Sequence, residues 1–122
     1  MSIGKKTWVF PDGDLPALGD GPQKGHESLI ILNSSDQDSK ISFEIYFEDR
    51  EPVTEITAMV KARRVRCFRL DTPLGDGKTF QIPSGQYALI LKSQHSVVAQ
   101  IGRMDVSQPN LAYYTVMGYC TD

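Results

Sequence analysis

The alternation of side chains over residues 41–48 constrains the fold more than any other feature of the sequence. Four apolar residues alternate there with three polar residues and one tyrosine. Because successive side chains of a β-strand point to opposite faces, this pattern predicts a strand with one apolar face. A helical period of 3.6 residues would scatter the apolar side chains around the axis. The apolar face, which carries Phe43, Ile45 and Phe47, therefore needs a second layer to cover it.

The strand is expected to end at the charged run 48–51 and Pro52. Four consecutive charges are costly to bury, and proline has no amide hydrogen to donate to a ladder. We call residues 48–51 the acidic corner, and expect it to be exposed.

Other strand-like segments recur along the chain, separated by clusters of Gly, Pro, Asp, Asn and Ser. They span residues 7–10, 26–33, 55–61, 64–70, 80–83, 86–92, 97–103 and 112–119. Residues 11–25 are predicted to form a long loop, residues 93–96 a turn and residues 120–122 a frayed tail. Many short strands without an amphipathic helix predict an all-β fold, a single antiparallel β-sandwich with little or no helix.

Composition limits the functional classes. A chain of 122 residues fits one domain, residues 1–122, with a real core. The formal net charge of −2 gives no global attraction to nucleic acid or to an anionic membrane. No run of about 18 apolar residues predicts a membrane span, and no apolar segment follows the basic N-terminus as in a secretory signal. We therefore expect a cytoplasmic protein whose Cys67 and Cys120 are free thiols.

No motif predicts catalysis, a metal or a cofactor. Gly77-Lys78-Thr79 lacks the upstream glycine and the following helix of a phosphate-binding loop. The pair His26-Glu27 lacks the second histidine of a zinc protease, and the histidines and cysteines have no zinc-ligand spacing. We expect a protein that is not an enzyme.

Basic residues crowd the predicted hairpin around residues 61–69. They are Lys61, Arg63, Arg64, Arg66 and Arg69. They could form a solvated edge strand, an anion or nucleic-acid patch, or ion pairs with the acidic corner within or between subunits. We favour the ion pairs, because the corner is otherwise uncompensated. Asp49, Arg50, Glu51, Arg63 and Arg66 are thus the candidate partner or anion contacts.

A ligand pocket is a further hypothesis. It would combine Trp8, His26, Glu27, Arg64, Gln100 and Arg103 at one rim of the sandwich. An indole platform beside guanidinium and carboxylate groups suits a polyhydroxylated or anionic small molecule. The alternative is a buried tryptophan with unrelated ion pairs, among them Arg103 with Asp105.

An ordered set of short motifs resembles the sensory rhodopsin transducer family along most of the chain. The motifs are Trp8, Gly19-x-Gly21-Pro22, His26-Glu27, Leu32-Asn33, Ile45-Tyr46-Phe47-x-Asp49-Arg50-Glu51-Pro52-Val53, Val60-x-Ala62-Arg63-Arg64, Ile82-Pro83, Tyr87-Ala88, Ser93 and Val97-Val98-x-Gln100-x-x-Arg103-x-Asp105.

The resemblance implies a jelly-roll-like sandwich that assembles as a homotetramer and couples a membrane photoreceptor to a downstream response. The residues themselves indicate only a tendency to assemble, through Tyr46 and the pair Tyr113-Tyr114. Three hypotheses follow: a transducer-like adaptor for a protein partner, a sensor of a small sugar-like or anionic ligand, and, with less support, a DNA-binding regulator that uses the arginine hairpin.

Overall fold

The computed structural model describes residues 2–122, and within this range the fold is all-β without a helix. The eight strands are β1 (Lys5–Leu15), β2 (His26–Asn33), β3 (Ser39–Tyr46), β4 (Val53–Val60), β5 (Arg64–Arg69), β6 (Gly85–Asp105), β7 (Ala112–Val116) and β8 (Tyr119–Thr121). All the pairings between these strands are antiparallel.

Strand β6 organises the molecule because it belongs to two layers. Its first half pairs with β1 and β3 in sheet A, which has the order β4-β3-β6-β1-β8. Its second half pairs with β2 and β7 in sheet B, which has the order β5-β2-β6-β7. The prediction of an antiparallel sandwich is confirmed, with one 21-residue strand passing from one sheet to the other.

The core lies between the two sheets and confirms the alternation of β3. Phe43 and Ile45 are fully buried, while Phe47 just beyond the strand is half-buried and packs against the core. The ring of Phe43 meets that of Phe68 from sheet B edge-on, with centroids 5.4 Å apart. Sheet B thus supplies the second layer that the apolar face of β3 requires.

The predicted turn at residues 93–96 is wrong, since these residues continue β6. Ser93 is buried, and its hydroxyl lies 2.6 Å from the hydroxyl of Ser39 on β3. The Ser39 hydroxyl also accepts the His95 amide over 2.9 Å. Ser93 and His95, whose composition is typical of a turn, instead form hydrogen bonds with the neighbouring strand β3.

Several boundaries also differ from the prediction, and the predicted strand over residues 80–83 is reduced to an isolated bridge between Phe80 and Leu74. β1 continues through Leu15, so the loop before β2 is confined to residues 16–25. The predicted strand 112–119 is two strands, β7 and β8. Residues 119–121, expected to fray in part, pair with β1 as β8. Gly118 between the two strands lies so close to the Val9 carbonyl and the Phe10 ring that a side chain there would overlap them.

Candidate functional site

A closed polar network lies at the end of the sandwich where β2 begins and β6 ends. Glu27 has the same parity along β2 as the buried Leu29 and Ile31, so its side chain points into the core and is fully buried. A buried carboxylate is costly unless it is paired and hydrogen-bonded. The carboxylate oxygens of Glu27 accept hydrogen bonds from groups of β1 and of both halves of β6.

Arg103 is the centre of this network. Its Nε donates to Glu27 Oε2 over 2.8 Å, and its Nη2 donates to the Asp12 carbonyl over 2.9 Å. Its Nη1 donates to the Tyr114 hydroxyl over 2.7 Å, and the guanidinium lies 5.4 Å from the centre of that ring. Burial acts to lower the pKa of Arg103, but its bonds to Tyr114 and Glu27 outweigh it and raise that pKa overall. The guanidinium thus stays charged and joins β1, β2, β6 and β7.

Tyr87 completes the network from the first half of β6. It is buried, and its hydroxyl donates to Glu27 Oε1 over 2.5 Å. Burial raises the pKa of the Tyr87 phenol, and the negative charge of Glu27 raises it further. Its ring lies against Gly13, where any side chain would overlap it. The phenol therefore stays protonated, and the arrangement is suited to holding strands in register and not to transferring protons.

The residues of the predicted pocket are divided between separate places. Glu27 and Arg103 form the network just described. His26 points to the opposite face of β2, with Nδ1 2.8 Å from the Lys24 carbonyl. Gln100 faces outward from sheet B, with Nε2 3.6 Å from the Met117 sulfur.

Trp8 and Arg64 lie toward the other end of the sandwich. The buried Trp8 indole donates to the Lys5 and Val97 carbonyls over 3.2 and 3.0 Å. Arg64 pairs with Asn33, which is six positions beyond Glu27 along β2 and hence about 20 Å away at the rise of a strand. The six predicted residues do not enclose one shared cavity in the part of the chain that the structure describes.

The predicted hairpin around residues 61–69 is wrong, because β4 pairs with β3 in sheet A while β5 pairs with β2 in sheet B. Its arginines pair with nearby aspartates and not with the acidic corner, as far as residues 2–122 show. Arg63 contacts Asp36 over 3.0 Å, Arg66 contacts Asp76 over 2.7 Å, and Arg69 contacts Asp71 over 2.8 Å. The expectation that these arginines pair with the acidic corner is therefore wrong within one chain. Arg63, Arg66 and Arg69 each pair instead with an aspartate of an adjacent loop.

The acidic corner and Asp105 also have local partners. Arg50 contacts its neighbour Asp49 over 2.9 Å, and Glu51 is exposed. Asp105 accepts the Ser107 amide over 2.8 Å, and hydrogen bonding from the Ser107 side chain and from that amide lowers the pKa of its carboxyl. Arg103 forms its ion pair with Glu27 and not with Asp105, the partner that was suggested as an alternative.

Several large apolar side chains are exposed on the outer side of sheet B. Leu32 on β2 and Val65 on β5 are directly paired there, with 41% and 64% of their surface exposed. Tyr113 on β7 is 57% exposed, and Met117 just after β7 is 66% exposed. Ile30, Val98 and Met104 are half-buried on the same face. We call this surface the outer face of sheet B; large apolar side chains exposed on a sheet face are typical of interaction sites.

Neither a metal cluster nor a membrane-spanning helix is found in residues 2–122. No three His, Cys, Asp or Glu side chains of this range are grouped so as to hold a metal ion. None of these residues forms a helix long and apolar enough to cross a membrane.

These features define the class as a small antiparallel β-sandwich protein with a closed internal network and an exposed apolar sheet face. The sequence model of a family described as Anabaena sensory rhodopsin transducer matches residues 3–120, and the chain belongs to this family. The resemblance inferred from the sequence motifs is confirmed.

Two solved structures are similar to this chain. A crystal structure of Thermotoga maritima 1070 is 32% identical, with a TM-score of 0.84 over 98% of this chain and 97% of that one. A structure of the Anabaena sensory rhodopsin transducer is 34% identical, with a TM-score of 0.72 over 84% of this chain and 90% of that one. No curated protein sequence matches the chain.

The sequence did not predict three members of the polar network around Glu27 and Arg103. They are Tyr87, Tyr114 and Asp12. Only the position of Glu27 on the apolar face of β2 signals that buried partners must exist. Which residues these are depends on the pairing of β6 with β1, β2 and β7.

Proposed function

We propose that this chain is a non-enzymatic signalling module that carries the state of a membrane photoreceptor to a downstream response. The observation that carries the proposal is the family match over residues 3–120. It agrees with the chemistry of the buried network, which fixes strands together and keeps its phenol protonated. The module would act on the cytoplasmic side of the membrane.

The outer face of sheet B supports a role in protein contacts. Leu32, Val65, Tyr113 and Met117 are large apolar side chains that water surrounds in the isolated chain. Covering such a surface with a protein partner is favourable by about 25 cal/mol for each Å² of apolar area. Aromatic residues and methionine are also enriched at protein interfaces. We assign this face to contacts between copies of the chain in a homo-oligomer, for which four copies is the expected number.

The DNA-binding alternative has less support. Arg63, Arg66 and Arg69 are already within 3.0 Å of aspartates, which offset the charge that a phosphate backbone would need. The overall charge of −2 also opposes attraction to DNA.

Binding to a photoreceptor tests the signalling function. Anabaena sensory rhodopsin, the photoreceptor that the family description names, is placed in lipid nanodiscs, and calorimetry measures its affinity for this protein in the dark and under illumination. We expect binding whose dissociation constant differs between the two states. The same affinity in both states, or no heat of binding at about 100 μM, would contradict the proposal.

Light scattering after size exclusion tests the assembly separately. The unaltered chain is expected to elute as a tetramer at micromolar concentration, and Val65→Lys is expected to give smaller species, because a lysine there would be buried without a partner. Met59→Lys is the matched control, since Met59 is exposed on β4 of sheet A. A monomer for the unaltered chain would refute the homo-oligomer and leave the photoreceptor proposal to its own test.

A further inference from the structure

A cavity of about 540 Å³ opens near the end of the sandwich away from Glu27 and Arg103. Lys6 comes from β1, Ser34 and Asp36 from the turn after β2, and Arg63 from the turn before β5. His95 and Ser96 come from the middle of β6. The volume lies within the range of small-ligand sites, about 300–1,000 Å³. The cavity shares none of its residues with the outer face of sheet B.

Several backbone contacts hold the walls in place. The Trp8 indole bonds to the Lys5 and Val97 carbonyls, next to Lys6 and Ser96. The Arg63 amide donates to the Ser35 carbonyl over 3.1 Å and joins the two turns. A site whose walls are fixed in this way loses little conformational freedom when a ligand binds.

The charge of the lining is positive, in contrast to the chain as a whole. Lys6 and Arg63 line the cavity, and Arg64 lies beside it, with Nη1 3.0 Å from the Arg63 carbonyl. Asp36 is the one carboxylate among the lining residues. It engages Nε and Nη2 of Arg63, and no group of residues 2–122 bonds to Nη1, which can therefore bind another group.

Other polar groups of the lining are uncommitted. Across residues 2–122, the Lys6 ammonium, the His95 ring and the Ser34 and Ser96 hydroxyls have no hydrogen-bond partner. An ammonium, a guanidinium edge and hydroxyls around one cavity are the donors that bind phosphate and carboxylate oxygens.

We propose that this cavity binds a small oxyanion, namely the phosphate or carboxylate group of a small molecule. Lys6 supplies a charge at the β1 wall, and Arg63 supplies an oriented N–H on the opposite turn. Ser34, His95 and Ser96 provide further donors that hold the remaining oxygens. The buried Trp8 is the single tryptophan of the chain and lies behind this wall, so its emission reports on the site.

Titration with inorganic phosphate at constant ionic strength tests the proposal, with amide shifts measured by NMR and Trp8 emission followed in parallel. We expect saturable shifts at residues 34–36, 63 and 95–96. Lys6→Gln is expected to weaken binding by about tenfold or more, because a charge-assisted hydrogen bond is lost. Lys24→Gln removes the same charge from the loop before β2 and is expected to leave the affinity within about twofold.

Two further probes distinguish the source of the oxyanion. Glycerol 3-phosphate that shifts the same amides would indicate a free small molecule. Sedimentation with phosphatidylglycerol vesicles, lost in Lys6→Gln, would indicate a lipid headgroup. The proposal is overturned if neither phosphate nor vesicles affect these amides, if Lys6→Gln and Lys24→Gln behave alike, or if only duplex DNA shifts them.

Discussion

Arg103 Nε donates to Oε2 of Glu27 over 2.8 Å, and this pair joins two strands whose residues are 76 positions apart. Glu27 is fully buried, and the Arg103 side chain is 13% exposed. The attraction between two buried charges mainly offsets the cost of removing them from water. Such a pair contributes little net stability while intact, but the loss of one partner leaves the other charge without compensation.

Arg103→Met is therefore expected to destabilise the fold strongly. It retains much of the side-chain volume but leaves the Glu27 carboxylate with only the Tyr87 hydroxyl and the Asp14 amide. Breaking a buried pair costs about 3–5 kcal/mol, and the slight exposure of Arg103 places the expected loss near the lower end. The free energy of unfolding, obtained from urea denaturation, measures this loss.

Arg50→Met is the matched control for that experiment. Arg50 pairs with Asp49, but both side chains are more than half exposed. Exposed pairs contribute about 0–1 kcal/mol, so the free energy of unfolding should change little. Equal losses for the two variants would mean that Glu27 does not depend on Arg103 for its charge compensation.

Replacement of glycine by alanine should have different effects at Gly13 and at Gly102, because the side chains around the two positions differ in burial. A Cβ at Gly13 would overlap the ring of Tyr87, which is 1% exposed and fixed by Glu27. A Cβ at Gly102 would overlap the hydroxyl end of Tyr113, which is 57% exposed.

Gly13→Ala should cost about 1–3 kcal/mol, because the buried ring has no room to move. Gly102→Ala should cost less than about 1 kcal/mol in the dissociated chain, since Tyr113 can there rotate into water and alanine restricts the unfolded chain. Thermal unfolding followed by circular dichroism compares the two variants. A larger loss for Gly102→Ala would show that Tyr113 is held in place.

The fold could be predicted from local patterns wherever one face of a strand is buried. The alternation in β3 fixed its faces, and the two-layer architecture followed from the number of short strands. The continuity of β6 could not be predicted, because residues 93–96 have the composition of a turn. Their hydrogen bonds go to Ser39 of another strand, which local propensity does not reveal.

The site was predicted only in part, for a related reason. Glu27 and Arg103 were assigned to one cluster, and the structure brings them together as an ion pair. Trp8 and Arg64 were assigned to the same cluster because the register between strands was unknown. Once β2 pairs with β5, Arg64 lies opposite Asn33 and far from Glu27.

Acid should remove the contribution of Asp76 to stability. Its bond with Arg66, and to a smaller extent its bond with the Met59 amide, lower the pKa of this carboxyl below the ordinary value of 3.8. The unfolded state therefore binds a proton more tightly than the folded state. The stabilisation is complete above about pH 4 to 5 and is lost as the pH falls through the lower folded-state pKa.

Asp76→Asn tests this dependence. Both side chains of the pair are substantially exposed, so at neutral pH the variant should lose only about 1 kcal/mol. The difference from the unaltered chain should shrink as the pH falls below about 4 toward the lowered folded-state pKa, because Asp76 then loses its charge and resembles the asparagine. Urea denaturation between about pH 3 and about pH 7 measures the difference. If the difference in the free energy of unfolding stays constant over this range, the destabilisation comes from packing and not from the charge of Asp76.

Phe43 and Glu44 are neighbours on β3 that face opposite ways, and they test the layer that the alternation predicts. Phe43 is fully buried against Phe68, so Phe43→Ala should cost about 3–5 kcal/mol through lost burial and the cavity left behind. Glu44 faces outward and bonds to the Tyr46 hydroxyl and Lys92, so Glu44→Ala should cost less than about 1 kcal/mol. Calorimetric unfolding should show a much lower melting temperature for the first variant alone. Similar melting temperatures would require both faces of β3 to be buried, as they would be if a further copy of the chain covered sheet A.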